Sequence, residues 1–194
     1  MILKICGITT LEDAQAAIAA GATAIGFNFY PRSPRYITPD RAAAIPTPSD
    51  IRRVGVFVNE SPARIEEIAR IAALDTAQLH GDESVADYPS RLAVWKAARI
   101  NGGFTFQPYA DLPAEAVLLD GPASGLNFDW TLAADRRQRI IIAGGLDPDN
   151  VARAIELAHP WGVDACSRIE SAPGIKDHVK MQAFLQAAKA ALQL

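Results

Sequence analysis

The chain has 194 residues, a formal net charge of −3 and 49% hydrophobic residues, an ordinary globular composition with enough apolar material for one sizeable core and no more than two domains. The mild acidity leaves no basic footprint for nucleic acid. No apolar run approaches the roughly 18 residues that a membrane span needs.

The N-terminus runs straight into a strand with no basic segment, apolar run and cleavage site, so no signal peptide is expected and a cytoplasmic, reducing compartment is. The two cysteines, Cys6 and Cys166, are far apart in sequence. A disulfide between them is open in principle, and the absence of CxxC spacing argues against zinc. No metal is expected.

The elements follow in order. Ile2–Ile8 reads as a strand, and Thr10-Leu11-Glu12-Asp13 opens a helix to about Ala20. Thr10 is its expected N-cap, with Asp13 closing a variant capping box, and Gly21 ends it. The second strand is 24–29, followed by the proline-punctuated loop 30–36. Thr38 then caps a helix with Pro39 at its first position, where a missing N–H costs nothing. The third strand is 53–58, and Asn59-Glu60-Ser61-Pro62 caps a helix with apolar positions at Ile65, Ile68, Ala69 and Ala72, a helical spacing. The fourth strand, 76–80, leads to Gly81-Asp82-Glu83-Ser84 and a short helix. The fifth is 92–97. Between Asn101 and Pro113 no long helix is evident, so the fifth crossover is expected to be short or irregular. The sixth strand, 116–120, ends in the loop 121–127 before a short helix near Trp130. The seventh, 139–145, is followed by Asp147-Pro148 and a helix to about His159. The eighth is 162–167, and a last helix spans about Val179 to Leu192.

Strands alternating with helices imply parallel pairing, because parallel neighbours need a crossover. Continuously apolar strands imply cover on both faces. Eight such units favour one (β/α)8 TIM barrel domain over residues 1–194, with trimmed crossovers, over an open doubly wound sheet. No linker or second domain is evident.

In such a barrel the active site lies at the C-terminal strand ends, which makes Cys6, Arg35, Gln78, His80, Lys96, Asp120, Gly144, Gly145, Ser167 and Arg168 the candidates. Cysteines are more often buried and inert, but Cys6 sits at a strand end before a glycine. Asp120 ends an apolar run and is followed by Gly121-Pro122, so no helix needs it as a cap. A thiol and a carboxyl on the first and sixth strands suit an acid/base pair; a turn former is the plainer alternative for Asp120. Glycines at 144 and 145 let backbone N–H groups approach an anion, and the loops after the seventh and eighth barrel strands frequently hold phosphate; a tight turn is the plainer alternative. Arg35, like Arg32, is either a solvated loop charge or, as the proline-stiffened loop favours, a held arginine suited to a carboxylate. His80 is read as a hydrogen-bonded residue rather than a catalyst, Lys96 as a buried pair or a polar contact, and Cys166 as packing. These residues describe a phosphosugar-type barrel with a Cys/Asp pair and leave the substrate open.

Several segments together resemble the phosphoribosylanthranilate isomerase family of the tryptophan pathway. They are 4–9 (KICGIT), 26–37 (GFNFYPRSPRYI), 54–59 (VGVFVN), 78–83 (QLHGDE), 118–120, 128–130, 143–146 (AGGL) and Val163-Asp164 through Pro173-Gly174. They run in order along the whole chain, and KICGIT with QLHG is a specific combination. The resemblance implies an Amadori rearrangement of N-(5-phosphoribosyl)anthranilate. Asp120 would protonate the furanose oxygen and open the ring to a Schiff base. Cys6, as thiolate, would take the C2′ proton. Arg35 would hold the anthranilate carboxylate, and Gly144, Gly145, Ser167 and Arg168 the phosphate, with Gln78 and His80 as further substrate contacts. No cofactor is implied, because the substrate's iminium is the electron sink. The only partner implied is this small-molecule phosphosugar-anthranilate, with no nucleic acid and no membrane, and with the chain as a monomer or homodimer.

Two departures from the family pattern stand out. Loop 121–127 lacks the family's longer Gly-Lys-Thr type segment, and Cys166-Ser167-Arg168 replaces the usual Ser-Ser-Gly. Arg168 either blocks the phosphate or contacts it in place of the missing loop; the second is the expectation. Two alternatives remain: a related barrel, indole-glycerol-phosphate synthase, for which no catalytic-type lysine set is present, and a binding protein that has lost catalysis, against which Cys6 and Asp120 both stand.

Overall fold

Every strand of this chain has two faces with different destinations, and alternation along the strand assigns each residue to one of them. The computed structural model describes residues 1–123, 125–134 and 137–192. The strands are β1 (Ile2–Cys6), β2 (Ala24–Asn28), β3 (Arg52–Phe57), β4 (Thr76–Leu79), β5 (Ala93–Arg99), β6 (Ala116–Asp120), β7 (Ile140–Ile142) and β8 (Gly162–Ala165). Each pairs in parallel with the next, and β8 pairs with β1, closing an eight-stranded barrel.

Outward residues such as Ile5, Phe27, Phe57, Leu79, Leu119, Ile142 and Val163 join the main core against the helices. Inward residues Ala24, Val54, Trp95, Ala97, Leu118 and Ile141 fill the barrel's interior. At the N-terminal end of the interior the Arg52 guanidinium pairs with Glu115, which also accepts from the Trp95 indole N–H at 2.8 Å.

The helices are α1 (Leu11–Ala19), α2 (Pro39–Ala43), α3 (Pro62–Ala72), α4 (Val151–Ala158) and α5 (His178–Ala191). Thr10, Thr38 and Ser61 cap the first three through their hydroxyls, with Pro39 and Pro62 opening α2 and α3. The α3 positions read as its apolar stripe, Ile65, Ile68, Ala69 and Ala72, are all buried. Arg53 faces outward on β3 and donates to Ala42 O, Ile45 O and Ala72 O at 2.7–3.0 Å. It thus adds a donor to carbonyls at and just beyond the C-terminal ends of α2 and α3.

Four expectations need correction. The crossovers after β4, β5 and β6 each hold only a 3-10 turn, at Val85–Asp87, Gln107–Tyr109 and Trp130–Ala133. The irregularity expected of the fifth crossover therefore extends to its neighbours, whose polar, glycine- and proline-broken segments offer no long apolar stripe. Asp13 does not reach back to Thr10. Its carboxylate instead accepts from Lys176 N at 3.0 Å and meets His178 Nε2 at 2.7 Å, so it ties α1 to α5 across the β1–β8 seam. Between β8 and α5 lies an unforeseen antiparallel pair, β9 (Glu170–Ala172) and β10 (Ile175–Lys176), turning through Gly174 at φ +84°. Strands β7 and β8 are shorter than expected, because their last residues leave the ladder to form rim loops. Of loop 121–127, Ser124 lies outside the described residues.

Candidate active site

Alternation brings Cys6 on β1, Gln78 on β4, Arg99 on β5, Asp120 on β6 and Cys166 just after β8 onto the inner face at the barrel's C-terminal mouth. There they line one cavity of about 260 Å³. Nine of the ten strand-end candidates border it: Cys6, Arg35, Gln78, His80, Asp120, Gly144, Gly145, Ser167 and Arg168. Lys96 does not. It alternates with the inward Trp95 and Ala97, faces outward, and is buried against Glu83 Oε2 and Gly81 O, both at 2.6 Å. The other Glu83 oxygen accepts from Asn59 N and Gly81 N, so this pair fixes the loops after β3 and β4.

The base candidate is well prepared. A hydrogen bond from the Cys166 thiol and the nearby Lys4 ammonium pull the Cys6 thiol far below its usual range, against the opposing effect of burial. Its neighbour Cys166 is pushed the other way, by Cys6 and by burial, and its Sγ lies 3.9 Å from Glu170 Oε1. It is half-buried and borders the cavity, which corrects the reading of it as packing.

Asp120 is prepared in the other direction. Burial raises its carboxyl, while Arg99 and the Gly121 N–H pull it back only in part. One group thus leans towards the ionised form and the other towards the protonated form, the arrangement an acid/base pair requires. Gly144 makes room for it. At φ +74°, a Cβ there would lie 2.2 Å from Gly121 N and 2.8 Å from Asp120 Oδ1. Gly145 packs equally closely on Asn127 N, so the glycine pair serves close loop packing as well as turn geometry.

His80 meets the Gln78 amide nitrogen at 2.6 Å through Nε2. Burial, with Lys4, Arg99 and Lys96 adding to it, brings its pKa down to about 3, so the neutral ring accepts that N–H. Arg35 is held in a fork by Glu170, at 2.9 Å from Nε and 2.7 Å from Nη2. Glu170 is supplied by β9 and is also paired with Lys176 at 2.8 Å. Arg168 reaches across to Asp147 at 3.2 Å, joining the loops after β7 and β8.

Sequence reasoning missed Arg99, Asp164 and Asn28, which also line the cavity. Arg99 makes no ion pair among the described residues, although its charge acts on both Asp120 and His80. Inward alternation from Trp95 through Ala97 was the signal that could have found it.

A family model described as N-(5'phosphoribosyl)anthranilate (PRA) isomerase matches residues 3–187. The N-(5'-phosphoribosyl)anthranilate isomerase of Solibacter usitatus is 71% identical over 198 residues, covering 99% of each chain. The crystal structure of phosphoribosyl anthranilate isomerase from Thermus thermophilus superposes with a TM-score of 0.91 at 37% identity, over 98% of this chain and 99% of that one. A phosphoribosyl anthranilate isomerase in complex with reduced 1-(o-carboxyphenylamino)-1-deoxyribulose 5-phosphate superposes with a TM-score of 0.88 at 39% identity, over 98% and 100%.

Proposed function

The chain belongs to the N-(5'-phosphoribosyl)anthranilate isomerase family, and from that premise we propose how its residues carry the family's reaction. It catalyses the Amadori rearrangement of N-(5-phosphoribosyl)anthranilate to 1-(2-carboxyphenylamino)-1-deoxyribulose 5-phosphate in tryptophan biosynthesis. The observation that carries our assignment is the pairing, across one cavity, of a thiol driven towards ionisation and a carboxyl driven towards protonation.

Asp120 donates its proton to the furanose ring oxygen as the C1′–O bond breaks, and the anilino nitrogen's lone pair forms the iminium. The Cys6 thiolate then takes the C2′ proton. The electrons of that C–H bond move into the C1′–C2′ bond and neutralise the iminium, giving an enolamine. Tautomerisation to the ketone completes the isomerisation with no net change in atoms or electrons. A C–H next to an iminium needs a base that is ionised near neutrality, and a thiol tuned downward supplies one. The substrate supplies its own electron sink, so no cofactor enters.

Arg35, whose Nη1 has no partner among the described residues, meets the anthranilate carboxylate while Glu170 fixes its plane. The mouth formed by Gly144, Gly145, Ser167 and Arg168 takes the phosphate, with Gln78 and His80 contacting the sugar. Among the described residues no helix is long and apolar enough to cross a membrane; we place the enzyme in the cytoplasm, as a single barrel domain acting as a monomer or homodimer.

The test is turnover of freshly prepared phosphoribosylanthranilate by the purified chain and by Cys6→Ser. The reading expects a fall in kcat of about 100- to 10,000-fold in the variant. A Cys6→Ser enzyme as fast as the parent would remove the thiol from the mechanism.

A further inference from the structure

Lys4 is fully buried in the barrel's interior, two residues below Cys6 on the same face of β1. A lysine there is costly, because an ammonium taken out of water loses several kcal/mol of solvation unless it is paired. The surrounding interior positions are filled by Ala24, Val54, Leu118 and Ile141, so an aliphatic side chain would suit the space. The charge therefore calls for a reason.

Part of that reason is Asp164, on the neighbouring strand β8, whose Oδ2 lies 2.6 Å from Lys4 Nζ. Asp164 does not account for everything. Its Oδ1 is buried without a hydrogen-bond partner among the described residues, and burial pushes its carboxyl upward even with Lys4 beside it.

The second group beside Lys4 is the Cys6 sulfur. A Cβ built on Gly26 would lie 2.9 Å from Cys6 Sγ, 3.0 Å from Lys4 Cε and 3.1 Å from Lys4 Nζ. The sulfur and the ammonium thus crowd one point, in the space left by a missing side chain on β2. The other charged or titratable groups acting on the sulfur are Cys166 on the β8 end, Lys176 on β10, Arg35 after β2 and, opposing the thiolate, Asp120 on β6 and Asp164 on β8. Lys4 is the buried cation among them on Cys6's own strand. Cys166 offers a neutral S–H dipole, whereas Lys4 offers a full charge in a site that excludes water, where charge interactions are strongest.

We propose that Lys4, clamped by Asp164, is a positioning residue of the isomerase reaction: its ammonium is the counter-charge that holds Cys6 as a thiolate aimed into the cavity. The inference rests on Cys6 being the base, and the test separates the two. The full chain carrying Cys166→Ser, so that Cys6 is the sole thiol, is compared with the same chain carrying Lys4→Met. Two readouts are taken: the thiolate absorbance near 240 nm against pH, and the pH profile of kcat and KM.

Loss of Lys4 should raise the thiolate midpoint by about one pH unit or more, and lower kcat at neutral pH by about tenfold or more. KM should change little, and activity should recover as the pH is raised, a rescue that a merely structural lysine would not produce. If Lys4→Met does not fold, Lys4→Gln, which removes the charge and leaves Asp164 an N–H donor, takes its place in the same comparison. An unmoved thiolate midpoint overturns the proposal. A shifted midpoint in an enzyme whose Cys6→Ser variant is fully active would keep Lys4 as the thiolate's partner and overturn the catalytic role of Cys6 instead.

Discussion

The outer and inner faces of the same eight strands obey different rules. Outward residues are almost uniformly apolar and pack on helices and crossovers; Phe57, for example, stacks on Phe29 with ring centroids 5.4 Å apart. Inward residues towards the C-terminal mouth are Lys4, Cys6, Gln78, Arg99, Asp120 and Asp164. Several of these are buried polar groups that an aliphatic core would replace at a gain in stability. The contrast teaches that stability is concentrated on one side of each strand and chemistry on the other, one residue apart in sequence.

The sharpest way to break this division is on the outer face. Phe57→Ala should cost about 3–5 kcal/mol of unfolding free energy, read as a fall in the urea midpoint, while kcat of the folded fraction stays near the parent's. A large loss of kcat there would mean that the outer face also shapes the site. Next in size is the outward charged pair. Glu83→Gln removes the carboxylate that meets Lys96 and two backbone N–H groups, and should cost about 1.5–3 kcal/mol. Thermal unfolding checks it, and an unchanged transition would show the loops to be held by other contacts. On the inner face, Arg168→Ala should raise KM by about tenfold, the value of one charge-assisted contact, with the urea midpoint unmoved. An unchanged KM would remove Arg168 from the phosphate site.

The smallest effect is a pH dependence. His80 is held neutral, with its pKa brought from 6.5 to about 3 by burial and nearby cations. A base whose folded value is depressed contributes stability that is complete above the unfolded value and is lost as the pH falls towards the folded one. The urea midpoint should therefore drop between pH 6.5 and about 3, and His80→Gln should flatten that slope. A parallel slope in the variant would assign the acid sensitivity to other groups.

Much of this was legible in the chain itself. The eight apolar runs and their turn signals specify a barrel, and the strand-end rule brought Cys6, Asp120, Gly144 and Gly145 to one rim because strand order and parallel pairing leave little freedom there. What escaped were long-range pairings. Nothing local says that Arg35 is gripped by Glu170, 135 residues away, or that Asp13 serves Lys176 and His178 rather than its own helix. The β9–β10 pair is too short to show periodicity. The crossovers after β4 and β6 look like short helices because a single 3-10 turn and a brief helix share the same capping residues. Arg99 and Asp164 were within reach, had alternation been followed inward along β5 and β8.

One measurement meets the division of labour head on: the urea midpoint and kcat of Asp120→Asn, determined on the same preparation. Asp120 is partly buried with its carboxyl pushed upward, so the amide replaces it with little strain and no longer supplies the acid. The account predicts a midpoint equal to or above the parent's together with a kcat lower by about 100-fold or more. A variant that loses stability and keeps its turnover would contradict it.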